Sequence, residues 1–225
     1  MIHVIKTIQR PDKGIVASLA EIAPATAHEA MGRMGAMGYD IKPIYSGMSV
    51  CGPAITVQCH PGDNIMLHKA MAMAQPGDVI VASMGRGEMG AWGEVMSTCA
   101  CARGIAGLVS DGMVRDGLAI KRLGFSIFAR GLCMKGTVKE TLGLINHPIC
   151  CAGAIVRPGD IVLGDDDGVV VIPIELATTE FVHKCQDRER REREIMERLR
   201  SGDTTTLELL GLDTILQTKG IHEES

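Results

Sequence analysis

Asp78-Val79-Ile80-Val81-Ala82-Ser83, the loop Gly85-Arg86-Gly87-Glu88-Met89-Gly90, then Glu94 to Ala102 and Ile105 to Ser110 decide the fold. The β-branched run Val79-Ile80-Val81 follows the turn residues Pro76-Gly77 and reads as a buried strand. Glycines open a loop, Glu94 to Ala102 has the composition of a helix, and Ile105 to Ser110 returns to strand. Strand, loop, helix and strand in succession predict an α/β domain built in layers.

Working outward, helices are expected over Lys13 to Leu19, Ala25 to Met34 and Asn64 to Ala74, with a strand over Ser49 to Cys59. Thr26 is the expected N-cap of the second helix, with Glu29 three residues on as in a capping box. Beyond Ser110, short strands are expected at Ser126 to Ala129, Val138 to Leu144, Ala154 to Val156, Ile161 to Leu163 and Val169 to Ile172. Helices and strands alternate first and strands cluster later, so the expected sheet is mixed. Pro-Gly-Asp triplets at Pro61, Pro76 and Pro158 mark turns, the last two leading directly into strands. From Ile174 to Arg200 the chain turns helical, and the run Asp187 to Glu194 reads as a solvated, charged face. The expected organisation is one domain over residues 1–225 with a C-terminal helical extension over about 174–217.

Composition excludes several functions. A formal net charge of −4 leaves no basic field to gather nucleic acid, and three Phe, two Tyr and one Trp make no stacking platform. No apolar run approaches the roughly 18 residues of a membrane span. Met1-Ile2-His3-Val4-Ile5-Lys6 lacks the apolar core of a secretory signal, so the expected location is cytoplasmic. Eight cysteines without framework spacing predict reduced, largely buried thiols; Cys99-Ala100-Cys101 and Cys150-Cys151 are not zinc pairs.

Gly85 to Gly90 matches G-x-G-x-x-G after a strand, and Asp111 lies where a ribose-binding acid would fall. Against a dinucleotide site, the motif lies well inside the chain, Ala91-Trp92-Gly93 delays the helix, and no further strand–helix repeat is evident downstream. The same glycines suit a small carboxylate facing backbone N–H groups at a helix N-terminus, or a tight turn with no ligand. Downstream, Gly107 to Gly112 reads as a strand and turn leading to Arg115-Asp116, just past a strand end where α/β sheets place ligand chemistry. Arg115 offers a rigid donor fork to a carboxylate or enolate oxygen, and Asp116 a hard oxygen ligand to Mg²⁺ or Mn²⁺. A structural ion pair explains such a dipeptide equally well. Asp165-Asp166-Asp167-Gly168 reads as a hairpin turn rather than a metal site, and the histidines show no zinc spacing.

Glu94, twenty intervening residues and Arg115-Asp116 resemble the acid-x20-Arg-Asp signature of the 4-hydroxy-4-methyl-2-oxoglutarate / 4-carboxy-4-hydroxy-2-oxoadipate aldolases. These are class II pyruvate aldolases of the RraA-like family, which also holds regulators of ribonuclease activity. The likeness extends from roughly residue 10 to residue 215, through Ala27 to Arg33, Pro61 to Asn64, Gln75 to Val79, Gly136 to Thr141, Asn146 to Pro148 and Gly164 to Val170. It implies a swivelling β/β/α fold, trimers or hexamers with sites at subunit boundaries, and metal-dependent cleavage to pyruvate plus oxaloacetate or a second pyruvate. Oxaloacetate decarboxylation and a place in aromatic ring-cleavage catabolism are implied alongside. By this resemblance Asp116 holds the metal, Arg115 stabilises the enolate oxygen, and Glu94 positions or deprotonates a water. Backbone N–H groups about Gly93, Val95 and Met96 would bind the pyruvyl carboxylate. Glu192 of a neighbouring subunit, with Glu189 and Glu194 as alternatives, would approach the metal through water. The rival expectation is a non-catalytic RraA-like regulator that binds a ribonuclease.

Overall fold

The computed structural model describes residues 3–85 and 87–222. Arg86 of the glycine loop and Met1-Ile2 of the N-terminal stretch lie outside the described residues. Helices α1 (Lys13–Ala20) and α2 (Pro24–Ala30) and the short strand β1 (Lys42–Pro43) lead into the central unit. That unit runs β2 (Val50–Gln58), α3 (Ile65–Met73), β3 (Val79–Ser83), α4 (Glu94–Ala102), β4 (Gly107–Ser110), α5 (Gly117–Leu123) and β5 (Ser126–Ala129). Each of its strands pairs in parallel with the next. The burial of β3 and β4 on both faces explains why they read as continuous apolar runs rather than alternating ones. Leu108, fully buried on β4, contributes by burial alone about 1.5–3 kcal/mol.

The second half is antiparallel: β6 (Leu144–Ile145), β7 (Ile149–Cys151), β8 (Ala154–Val156), β9 (Ile161–Asp165) and β10 (Gly168–Ile172). The main sheet has eight strands in the order β1-β5-β4-β3-β2-β9-β10, with β6 on the end of β2. Strand β2 joins the halves, its first residues antiparallel to β9 and its later ones parallel to β3. The far strands are tied together by Lys42 Nζ donating to Asp167 O at 2.6 Å and Ser46 Oγ to Asp166 Oδ2 at 2.7 Å, so the mixed sheet nearly closes. One apolar core fills the sheet around Ile55, Ile80, Leu108 and Phe128. A second core, holding Leu19, Ile161, Ile172 and Phe181, lies under α1, α2 and the long helix α6 (Thr179–Arg200). Helices α7 (Thr206–Leu209) and α8 (Leu212–Thr218) follow.

The mixed α/β class is as expected, and so is the hairpin at Asp165–Gly168, with Asp165 opposite Gly168. Four local expectations fail. Helix α2 starts at Pro24 with Ala23 as N-cap, because proline's missing N–H suits the first helical position. Thr26 is buried instead of capping. The helix stops at Ala30, before Gly32 and Arg33 turn left-handed at φ 75 and 66°. Val138 to Leu144 is not a strand beyond its last residue. A strand–helix repeat does follow β4, since α5 and β5 continue the winding; Gly117 at its start and only seven residues hid that helix. Of the eight free cysteines only Cys59, Cys151 and Cys185 are buried, while Cys99, Cys101 and Cys150 are exposed. Among the described residues no helix is long and apolar enough to cross a membrane.

Candidate active site

The loops leaving the C-terminal ends of β3, β4 and β5 are laced to one another. Ala91 N donates to Met113 O at 3.0 Å, Arg115 N to Trp92 O at 2.8 Å, and Cys133 N to Val114 O at 2.8 Å. Trp92 anchors the first loop from below, stacked on Phe125 with centroids 5.9 Å apart and its indole N–H donating to Ser97 Oγ at 2.9 Å. This lacing brings Gly93, Glu94, Arg115 and Asp116 together across twenty-odd residues of sequence.

Asp116 sits in the left-handed region at φ 62°, a conformation that costs energy in a non-glycine residue and clusters at functional sites. The turn aims its carboxylate at the start of α4, where Glu94 N donates to Asp116 Oδ2 at 3.0 Å. Gly93, the N-cap of α4, has no side chain to cap the helix, so Asp116 supplies the cap from the neighbouring loop. Glycine is required at 93 because a Cβ there would collide with Asp116 Oδ2 and come within 3.1 Å of Arg115 Nε. The Arg115 guanidinium lies 3.7 Å from Asp116 Oδ2, and the two side chains are 47% and 41% exposed. They are open to a ligand rather than locked in a buried pair.

Arg115 and Asp116 line a cleft of about 270 Å³ with Gly93, Val95 and Met96. Its size suits a small acid rather than a dinucleotide. Three further side chains on its wall, Asn64, His68 and Lys139, were not singled out from the sequence. Asn64 is 6% exposed. Its Nδ2 donates to Ala91 O at 2.8 Å, yet its buried Oδ1 has no partner. Burial, then the nearby Lys139 charge, push His68 below its usual value, so the ring is neutral at pH 7. Arg115 and Lys139 against Asp116 leave the cleft with a cationic bias. Asn64 and Lys139 fall in the family-like stretches Pro61 to Asn64 and Gly136 to Thr141, but nothing local marked either of them, or His68, as a site residue.

The Glu94 side chain is exposed on the first turn of α4, and the cleft wall is formed by its neighbours Gly93 and Val95. Glu192 is not brought to this cleft within one chain. It lies on α6, 3.0 Å from Arg188, in a separate groove of about 740 Å³ lined also by Glu29 and Met196. Glu189 accepts from Ala23 N at 3.2 Å. That larger groove shares no lining residue with the Arg115–Asp116 cleft, so size alone does not locate the chemistry.

Among the described residues no three His, Cys, Asp or Glu side chains group to hold a metal. A zinc cage is therefore not formed by these side chains, but a half-exposed single carboxylate fits Mg²⁺ or Mn²⁺, which keep several waters and take few protein ligands. Strands β2 to β5 are wound in one direction without the reversal that creates a dinucleotide crevice. Asp111 is buried, and its Oδ1 accepts from Met84 N at 2.6 Å, so it holds the loop instead of facing a ribose. Burial raises the Asp111 carboxyl above its usual value despite these N–H donors.

Comparison with known proteins identifies the family. A family model described as RraA-like, Aldolase/RraA, matches residues 19–171. A Halalkalibacterium halodurans protein named "Putative 4-hydroxy-4-methyl-2-oxoglutarate aldolase" is 45% identical over 159 residues, covering 69% of this chain and 76% of that one. The crystal structure of Streptomyces coelicolor RraAS2, described as an unusual member of the RNase ES inhibitor RraA protein family, superposes with a TM-score of 0.76. It is 30% identical and covers 84% of this chain and 99% of its own. An uncharacterized Pseudomonas syringae pv. tomato protein superposes with a TM-score of 0.79 at 29% identity, covering 91% and 96%. With the mixed sheet and these matches in agreement, the chain belongs to the RraA-like (Aldolase/RraA) family.

Proposed function

We propose that the protein is a divalent-metal-dependent lyase that cleaves a branched 4-hydroxy-2-oxo polycarboxylic acid to pyruvate and a second 2-oxo acid. The observation that carries this reading is the Arg115–Asp116 pair, turned by a left-handed Asp116 against the start of α4 inside a small cationic cleft. The aldolase relative supports the reaction class.

Asp116 would hold Mg²⁺ or Mn²⁺, which supplies Lewis acidity toward the 2-oxo group. The Arg115 guanidinium donates to the 2-oxo oxygen, and its hydrogen bond strengthens as the C3–C4 bond breaks and charge builds there. Val95 and Met96 N–H, beside Gly93 in the first turn of α4 whose Glu94 N–H Asp116 already takes, bind the C1 carboxylate. Lys139 pairs with a distal carboxylate, and the Asn64 Oδ1 acceptor takes a hydroxyl or water donor. Glu94, on the rim, receives the proton of the C4 hydroxyl through water. The electron pair of C3–C4 passes into the pyruvate enolate, the C4 hydroxyl oxygen becomes the carbonyl of the second product, and a proton delivered through water to C3 turns the enolate into pyruvate. The same enolate stabilisation would allow oxaloacetate decarboxylation. Candidate substrates are 4-carboxy-4-hydroxy-2-oxoadipate and 4-hydroxy-4-methyl-2-oxoglutarate, in aromatic ring-cleavage catabolism. The assembly is proposed to be a trimer or hexamer in which Glu192 reaches a neighbour's site.

The test is pyruvate release from both substrates, coupled to lactate dehydrogenase, with and without chelator and with Arg115→Ala. Metal-dependent release that falls about 100- to 1,000-fold in the variant is expected for losing one donor to a developing oxyanion. No release with any divalent metal would discard the reading. The RraAS2 likeness then favours a second one, a regulator that binds a ribonuclease, to be tested by capture of a ribonuclease on the immobilised protein.

A further inference from the structure

Residues 131–143 contain neither helix nor strand, yet they cross the ends of three strands. Cys133 N donates to Val114 O at 2.8 Å, and Lys135 O accepts from Gly90 N at 2.9 Å. Val138 N donates to Gly62 O at 3.0 Å, and Val138 O accepts from Asn64 N at 3.2 Å. The segment is thus a strap, and it delivers Gly136, Thr137 and Lys139 to the cleft wall.

One buried side chain holds the far end of this strap. Asp63 is 1% exposed. Its Oδ2 accepts from both Glu140 N and Thr141 N at 2.6 Å, while Oδ1 accepts from Ile65 N at 2.8 Å at the start of α3. A buried carboxylate is costly unless its lone pairs are filled, and here backbone N–H groups from two distant segments fill them. Each of those three amides would otherwise be an orphan, two in the strap and one in the first turn of a helix.

We propose that Asp63 is a positioning residue that fastens the strap to α3 and so sets Lys139 in the cleft that holds Arg115 and Asp116. It touches no substrate and acts through Lys139, so it governs binding of a distal carboxylate rather than bond cleavage. The proposal rests on the lyase reading for its kinetic consequence but not for the strap itself. Asn is the discriminating substitution, because an amide of the same shape accepts on one oxygen only and presents N–H groups to the other donors.

The experiment combines hydrogen exchange with kinetics on the full chain. In Asp63→Asn, backbone protection over residues 136–141 is expected to fall while the rest of the sheet keeps its own, with circular dichroism reporting the fold. The KM for 4-carboxy-4-hydroxy-2-oxoadipate is expected to rise about ten-fold, the scale of one charge-assisted hydrogen bond, with kcat changed less than about three-fold. In a Lys139→Met background the same substitution should leave KM unchanged, since the group it positions is gone. Unaltered exchange over 136–141 overturns the proposal, as does a KM effect that persists in full without Lys139. Should the wild type release no pyruvate, the lyase reading fails alone, and exchange over the strap still decides whether Asp63 fastens it.

Discussion

Gly93→Ala tests the site most directly, because the new methyl group reaches both working side chains at once. The backbone is extended here, with φ −149° and ψ −166°, so alanine brings no conformational strain of its own. The cost is steric. The added carbon would overlap Asp116 Oδ2 and lie 3.1 Å from both Cγ and Nε of Arg115. Asp116 can retreat only by giving up the Glu94 N hydrogen bond at 3.0 Å, and the Arg115 side chain can swing aside only by leaving its place in the cleft, since its backbone is fixed by the N–H to Trp92 O at 2.8 Å. Breaking the Glu94–Asp116 hydrogen bond removes a charged partner worth about 1.5–3 kcal/mol. A displacement of about 1 Å at a catalytic group costs on the order of 100-fold in rate, or about 2.7 kcal/mol in the barrier. The expected result is a kcat/KM for pyruvate release down about 100-fold and a weaker dependence on added Mn²⁺, in a protein that still folds. Gly136→Ala is the control, on the same cleft but with open space at its Cβ position. Activity in Gly93→Ala within about three-fold of wild type would refute the placement of Asp116 and Arg115 at the reacting centre.

Asp116→Ala is expected to abolish metal-dependent turnover, and near-normal rates with saturating metal would remove Asp116 from the metal site. Burial pushes the Cys51 and Cys59 thiols up to about 12, so alkylation at pH 8 should label the exposed Cys99, Cys101 and Cys150 first, as read by peptide mass spectrometry. Burial raises the Asp63 carboxyl, but the N–H donors of Ile65, Glu140 and Thr141 and the charge of His60 outweigh it and hold it below its usual value. A depressed carboxyl stabilises the fold above its unfolded pKa of about 3.9 and loses that contribution as pH falls through the folded value. Amide protection at Glu140 and Thr141 should therefore be constant from neutral pH to about 5 and disappear only below about 4. Titration with NADH should leave Trp92 fluorescence unchanged, since Asp111 is already engaged by Met84 N and the strand order offers no crevice.

Local chemistry was enough for much of this. The β-branched runs at Val79–Ser83 and Ile161–Asp165, the Pro-Gly turns before them and the Asp-Gly hairpin act over a few residues, and they appear where their sequence placed them. The Glu94 and Arg115-Asp116 spacing was also legible, because strand ends and helix starts are locally encoded and family resemblance supplied their meaning. Tertiary structure alone decided the rest. All three Pro-Gly-Asp triplets read only as turns, yet Asp63, Asp78 and Asp160 are each buried and reach across the chain. Asp78 takes a two-pronged hydrogen bond from Arg10, and Asp160 accepts from Ile174 N at 3.0 Å, just as Asp63 accepts from the strap. Val138 to Leu144 has the apolar content of a strand but finds no neighbouring strand to pair with for most of its length, and so becomes that strap. Asn64, His68 and Lys139 share a wall with Arg115 although up to 75 residues separate them, as the numbering from 64 to 139 shows. Sequence periodicity reports which way a side chain faces within its own element. Which distant elements meet depends on sheet order and on the buried hydrogen bonds that only the packed chain can complete.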